Sequence, residues 1–173
     1  MKKTIFNVNA VLAAARAGQL SVVELKKAIT RAEALGLRVV AQDLRAVQLA
    51  QQMRASVATT FEDGAPREVI ESFYEAIATV EHVLKHRLQR TRNMVKQHGV
   101  LGTITRVRQN AASEARQRNF ATLIGAGKWR ISGEGLIVRF PHLFEPHSPG
   151  IVQWARQQLI DAGIKPQEID VQR

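Results

Sequence analysis

The chain has 173 residues, no cysteine and a net charge of +10. Its length suits one domain with enough buried surface to fold without staples, and the missing cysteine excludes disulfides, thiolate metal sites and cysteine nucleophiles. No apolar run reaches the ~20 residues of a membrane-spanning helix, and a cysteine-free chain fits a reducing cytoplasm.

The N-terminal stretch MKKTIFNVNAVLAAARAG has the basic start of a signal peptide. Asn7 and Asn9 interrupt its apolar part and Arg16 follows closely, so it reads instead as the lead into a first helix over 9–17, ended by Gly18. SVVE at 21–24 is a capping box: the serine oxygen and the glutamate carboxylate each accept an otherwise unpaired backbone N–H. Val22, Leu25, Ile29, Ala32 and Leu35 follow at helical spacing, and Gly36 ends that helix. A third helix over 38–58 carries Val40, Leu44, Val47 and Ala50 on one face, with Gln42, Arg45, Gln48 and Gln52 on the rest. TTFEDG at 59–64 is a loop, and Pro66 suits the first position of the next helix, where its missing N–H costs nothing.

From there the apolar positions are Val69, Phe73, Ile77, Val80, Leu84, Leu88 and Val95. This period predicts one helix of about 30 residues, roughly 45–50 Å long, with Gly99 as its C-terminal stop. Its first half is acidic and its second half basic, an order that suits the helix dipole. Shorter helices are predicted near 101–109 and 111–124. The stretch KWRISGEGLIVRF at 128–140 alternates apolar and polar residues around SGEG, as a β-hairpin does. A short helix from Ser132 to Phe140, stopped by Pro141, is the competing prediction. Ser148-Pro149 opens a last helix that ends at Gly163.

The fold class that follows is all-α or mainly α, with a possible small β-hairpin at 128–140. It is one domain, 1–173, with an N-terminal helical hairpin over 1–60 and the long helix with a helical cluster over 66–163.

The charge is unevenly placed. Residues 82–133 hold 11 basic side chains and one acid, Glu114, so this third of the chain carries the whole excess. A localised positive field is the footprint of a polyanion partner. Phosphate contacts are expected from Lys85, Arg87, Arg90, Arg92, Lys96, Arg106 and Arg108, continuing through Arg116, Arg118, Lys128 and Arg130, with Asn93, Gln97 and Gln109 available to base edges. The bland counterpart is a solvated helix face whose cations pair with acids from other segments. No aromatic-rich strand, Cys/His finger or GXXG loop points to a known nucleic-acid module. Helices followed by a basic hairpin would resemble a winged helix, with Arg130 and Arg139 on the wing.

No catalytic residue, metal site or cofactor is assigned. His82 and His86 sit at i and i+4 beside Glu81, without the HExxH order or a third ligand. His142 and His147 flank LFEP and, with Glu145, offer the one histidine–carboxylate grouping that an enzyme could use. Gly125-Ala-Gly127-Lys128 lacks the spacing of a phosphate loop. The leading expectation is therefore a non-enzymatic nucleic-acid-binding protein, for DNA or RNA. The alternatives are a helical docking module for a protein partner or a second copy, and then an enzyme with a histidine–carboxylate site.

One resemblance adds to this. Thr91-Arg92, Met94, His98-Gly99, Leu123, Gly127, Val138-Arg139-Phe140-Pro141 and Leu143-Phe144 form a pattern over about 73–160 that resembles a segment of uncharacterised bacterial proteins, TRxM…HG…VR(F/H)P. The resemblance implies no activity, and favours helix over hairpin at 132–140.

Overall fold

The computed structural model describes residues 7–57 and 64–170, the side chains of 53–57 excepted. The readings of Lys2 and Lys3 and most of the 59–64 loop lie outside the described residues. Among these there are ten helices and no strand.

The first three helices follow their local signals. α1 (Val8–Arg16) starts where the Asn7 side chain accepts the Ala10 N–H at 3.1 Å. α2 (Val22–Ala34) starts on the complete capping box: Ser21 Oγ accepts the Glu24 N–H at 3.3 Å, and the Glu24 carboxylate accepts the Ser21 N–H at 2.8 Å. Gly36 ends it with a φ of 72°, a backbone state that costs glycine nothing.

α3 (Arg38–Val57) buries two faces rather than one. Ala41 and Leu44 join Ala15, Leu25, Ile29 and Ala32 in the core of the hairpin, while Ala46, Leu49 and Ala50 join the core of the C-terminal region. Its glutamines tie it to its neighbours: Gln42 donates to Thr79 Oγ1 at 2.8 Å and Gln51 donates to the Leu20 carbonyl at 3.1 Å.

The predicted 30-residue helix is two helices, α4 (Arg67–Leu84) and α5 (Gln89–Thr105). Lys85 ends α4 in the left-handed region, φ 55° and ψ 25°, at a cost of about 1–2 kcal/mol for a residue with a Cβ. Side-chain chemistry offsets it. The Glu81 carboxylate leaves the helical surface and accepts the Leu88 N–H at 2.7 Å, at the entry of α5, together with the Arg92 guanidinium. Leu84 and Leu88 still pack on one cluster with Val80 and Leu123, which is why the apolar period runs unbroken across the break. Gly99 does stop a helix, with φ 69° and ψ −174°, but a second helical turn resumes at once and continues to Thr105.

α6 spans Glu114–Gly125. The 128–140 stretch is not a hairpin. It is a 3₁₀ turn, Trp129–Ile131, followed by α7 (Gly133–Arg139), whose N-cap Ser132 accepts the Gly135 N–H at 3.0 Å. The glycines mark close approach instead of a strand turn. A Cβ on Gly133 would lie 2.8 Å from Val107 Cγ2, and one on Gly135 would lie 2.1 Å from the Trp129 carbonyl oxygen. The winged-helix reading goes with the hairpin: Arg139 is half-buried and paired with Glu68. α8 (Pro141–Phe144), α9 (Ile151–Asp161) and α10 (Pro166–Asp170) complete the fold. Leu136, Ile137, Phe144, Ile151 and Ala155 close the main core around Val69, Phe73 and Ile77 of α4; each large apolar side chain there contributes about 1.5–3 kcal/mol by burial. Among the described residues no helix is long and apolar enough to cross a membrane.

Candidate functional site

The break between α4 and α5 is the wall between two cavities. On one side lies an apolar cleft of about 380 Å³. Phe73, Ile77 and Val80 of α4, Leu88 and Met94 across the break, and Leu123 of α6 line it, with Thr103, Asn110, Asn119 and Ser132 among its polar walls. His86, Arg87, Gln89 and Arg90 belong to the same cleft and are exposed. On the other side lies a polar groove formed by α3 and the end of α4, lined by Arg45, Glu81, His82, Lys85, His86, Arg87 and Arg92. His86 and Arg87 line both.

The basic run divides in three dimensions. Arg92 is 9% exposed, with Nε and Nη2 donating to the two Glu81 oxygens at 2.9 and 2.8 Å. Arg116 is bonded to Glu134, which is 2% exposed, and its guanidinium lies 4.9 Å from the Phe120 ring centroid and 5.5 Å from that of Trp154. Lys128 Nζ donates to Glu75 at 2.6 Å. These three are held inside the fold by acids. Glu81 and Glu134 stand one residue before and one residue after the basic window, so a window drawn at 82–133 misses both partners.

The other eight have no acid hydrogen-bonded to them among the described residues. Lys85, Arg87 and Arg90 are exposed together at the break, Arg90 donating to Asn110 Oδ1 at 3.4 Å. Lys96 is exposed on α5. Arg106 donates to the Gly102 carbonyl at 2.9 Å and Arg108 to the Pro149 carbonyl at 3.1 Å. Arg118 is exposed on α6, and Arg130 lies over the Trp129 ring at 4.6 Å.

The carboxyls respond to these placements. Burial works to raise the Glu81 pKa, but the hydrogen bonds from Arg92 and the Leu88 N–H, with the charges of Arg92 and Arg87, outweigh it and hold it below the usual range. For Glu134 burial dominates: its pKa is raised despite Arg116. The Arg116 Nε is itself buried without a hydrogen-bond partner. Burial, followed by the charges of Lys85 and Arg45, pushes His82 down, and its Nδ1 lies 3.2 Å from Arg45 Nη1.

His142 and His147 have no hydrogen bond to Glu145 among the described residues. His142 and His147 are exposed, and Glu145 caps α9, accepting the Gly150 and Val152 N–H groups at 2.6 and 3.2 Å. Among the described residues no three His, Asp or Glu side chains gather as metal ligands. Asn93, Gln97 and Gln109 are exposed, and Gln89 donates to Asn93 at 2.9 Å. The apolar cleft itself had no sequence signal, because its walls come from segments up to sixty residues apart. No family model matches this chain, and no curated protein or solved structure is similar to it.

Proposed function

We propose that the protein is a non-enzymatic binder of nucleic acid, acting in the cytoplasm, whose primary contact is the helix break. The observation that carries this reading is that Lys85 and Arg87 on the irregular segment and Arg90 in the first turn of α5 stand exposed together, beside a groove whose acid, Glu81, is already neutralised by Arg92. Concentrated, uncompensated cations supply the sequence-independent part of nucleic-acid affinity. Lys96, Arg106, Arg108, Arg118 and Arg130 extend the contact set. Arg92, Arg116 and Lys128 act on the fold instead of on phosphates.

The test is binding of a labelled DNA duplex and a labelled RNA across a salt series. Each phosphate contact to duplex DNA contributes about −0.9 to the slope of log K against log salt, so the K85Q/R87Q/R90Q variant loses up to about 2.7 of that slope. Absence of binding to either probe at about 50 mM salt, where such contacts are strong, overturns the reading. A docking module is the second reading. It draws on Leu35 and Val39, 55% and 70% exposed at the tip of the N-terminal hairpin, and predicts a pull-down that survives nuclease treatment.

A further inference from the structure

Close-packed interiors contain few voids larger than a water molecule, whereas small-molecule sites occupy roughly 300–1,000 Å³, with apolar walls and a few placed polar groups. The cleft of about 380 Å³ beside the helix break belongs to the second kind. Its charges are ordered: apolar side chains line the interior, and the ionisable groups contributed by the break, His86, Arg87 and Arg90, can carry only positive charge.

We propose that this cleft binds a single-tailed amphiphile with an anionic head, the tail lying along Phe73, Ile77, Val80, Leu88, Met94 and Leu123 and the head held by Arg87 and Arg90.

Charge complementarity selects this occupant. A cationic amphiphile meets two uncompensated guanidinium groups at the mouth. A neutral one gains nothing from them. The cleft's one acid, Glu134, does not oppose an anion, because Arg116 engages it and burial favours its protonated form. A nucleobase is a poorer fit, since the cleft offers two phenyl rings, Phe73 and Phe120, and no Trp or Tyr among its lining residues, and base recognition leans on stacking surfaces. The site does not depend on the nucleic-acid reading, although it shares Arg87 and Arg90 with it.

Calorimetric titration of the full chain with decanoate and with decanol, below their aggregation limits, tests the assignment. The expected result is saturable one-to-one binding of decanoate, with decanol at least tenfold weaker. In R87Q/R90Q the decanoate affinity falls to that of decanol, whose own affinity is unchanged. Ala115→Phe, at an exposed residue of the cleft wall, blocks both ligands while circular dichroism shows the fold retained. No saturable decanoate binding overturns the proposal. So do equal affinities for decanoate and decanol that R87Q/R90Q leaves unchanged, and so does decanoate binding that survives Ala115→Phe. Failure here leaves the salt-slope experiment untouched, and the reverse also holds.

Discussion

Arg87 and Arg92 are five residues apart in one basic run, and they belong to different parts of the molecule. Arg92 lies in the fold, with both Glu81 oxygens bonded to it; Arg87 stands in water between a cleft and a groove. Arg116 and Lys128 follow Arg92, while Lys85 and Arg90 follow Arg87. A charge run is therefore a poor unit of function. The useful unit is the cation together with its nearest acid, and that acid is set by the fold.

The sharpest way to break this division is to remove the internal cations. Arg92→Met leaves the half-buried Glu81 carboxylate without its partner and Arg116→Met does the same to the buried Glu134, and breaking a buried pair costs about 3–5 kcal/mol. At roughly 2–4 °C per kcal/mol for a chain this size, thermal unfolding by circular dichroism falls by 6 °C or more. A melting temperature within 2 °C of the parent would show that these arginines belong with the exposed set.

A smaller effect comes from pH. The folded pKa of Glu81 is depressed, so its contribution is present above the unfolded value of about 4.3 and is lost as pH falls through the folded one. Glu134 has the opposite sign: its folded pKa is raised, so its contribution is present below about 4.3 and is lost as pH rises through the folded value. Urea midpoints measured from pH 7 to pH 3 should fall less steeply in Glu81→Gln than in the parent. Parallel curves would mean that the carboxylate does not hold the break.

The smallest effect is expected at the rim. K85Q/R87Q/R90Q should leave stability within about 0.5 kcal/mol, as exposed substitutions do, while changing the salt slope described above. A large loss of stability would place these cations inside the structural network and dissolve the contrast.

Local signals in the sequence were enough for α1 to α3. Gly18, the Ser21–Glu24 box and Gly36 act within a few residues of themselves, and the structure uses them as read; the cap that Asn7 gives α1 was not read. The all-α class was equally legible. The break at Lys85 was not, because nothing in KHRL disfavours helix and the apolar period crosses it. What ends α4 is Glu81 reaching seven residues forward to the Leu88 N–H, a bond that competes with helix continuation only once Arg92 is in place. SGEG misled for a related reason: its glycines answer to Val107 and Trp129, which are remote or irregular neighbours, not to a turn. The candidate site was half legible. The cations at 85, 87 and 90 were visible as a charge excess, but Glu75, Glu81 and Glu134 lay outside the window, and so did their pairing with Lys128, Arg92 and Arg116.

Gly135 carries a consequence for how this chain can change over generations. Its conformation does not demand glycine; the obstacle is the Trp129 carbonyl oxygen, 2.1 Å from where a Cβ would sit. That obstacle is backbone and cannot rotate aside. Exposed cations can be exchanged one at a time with little effect on folding, so the basic rim is free to drift. Position 135 is closed to drift unless the whole Trp129–Ile131 turn is rebuilt with it. In a lineage of such chains, the mark of common descent would outlast the charges at an atom that is not there.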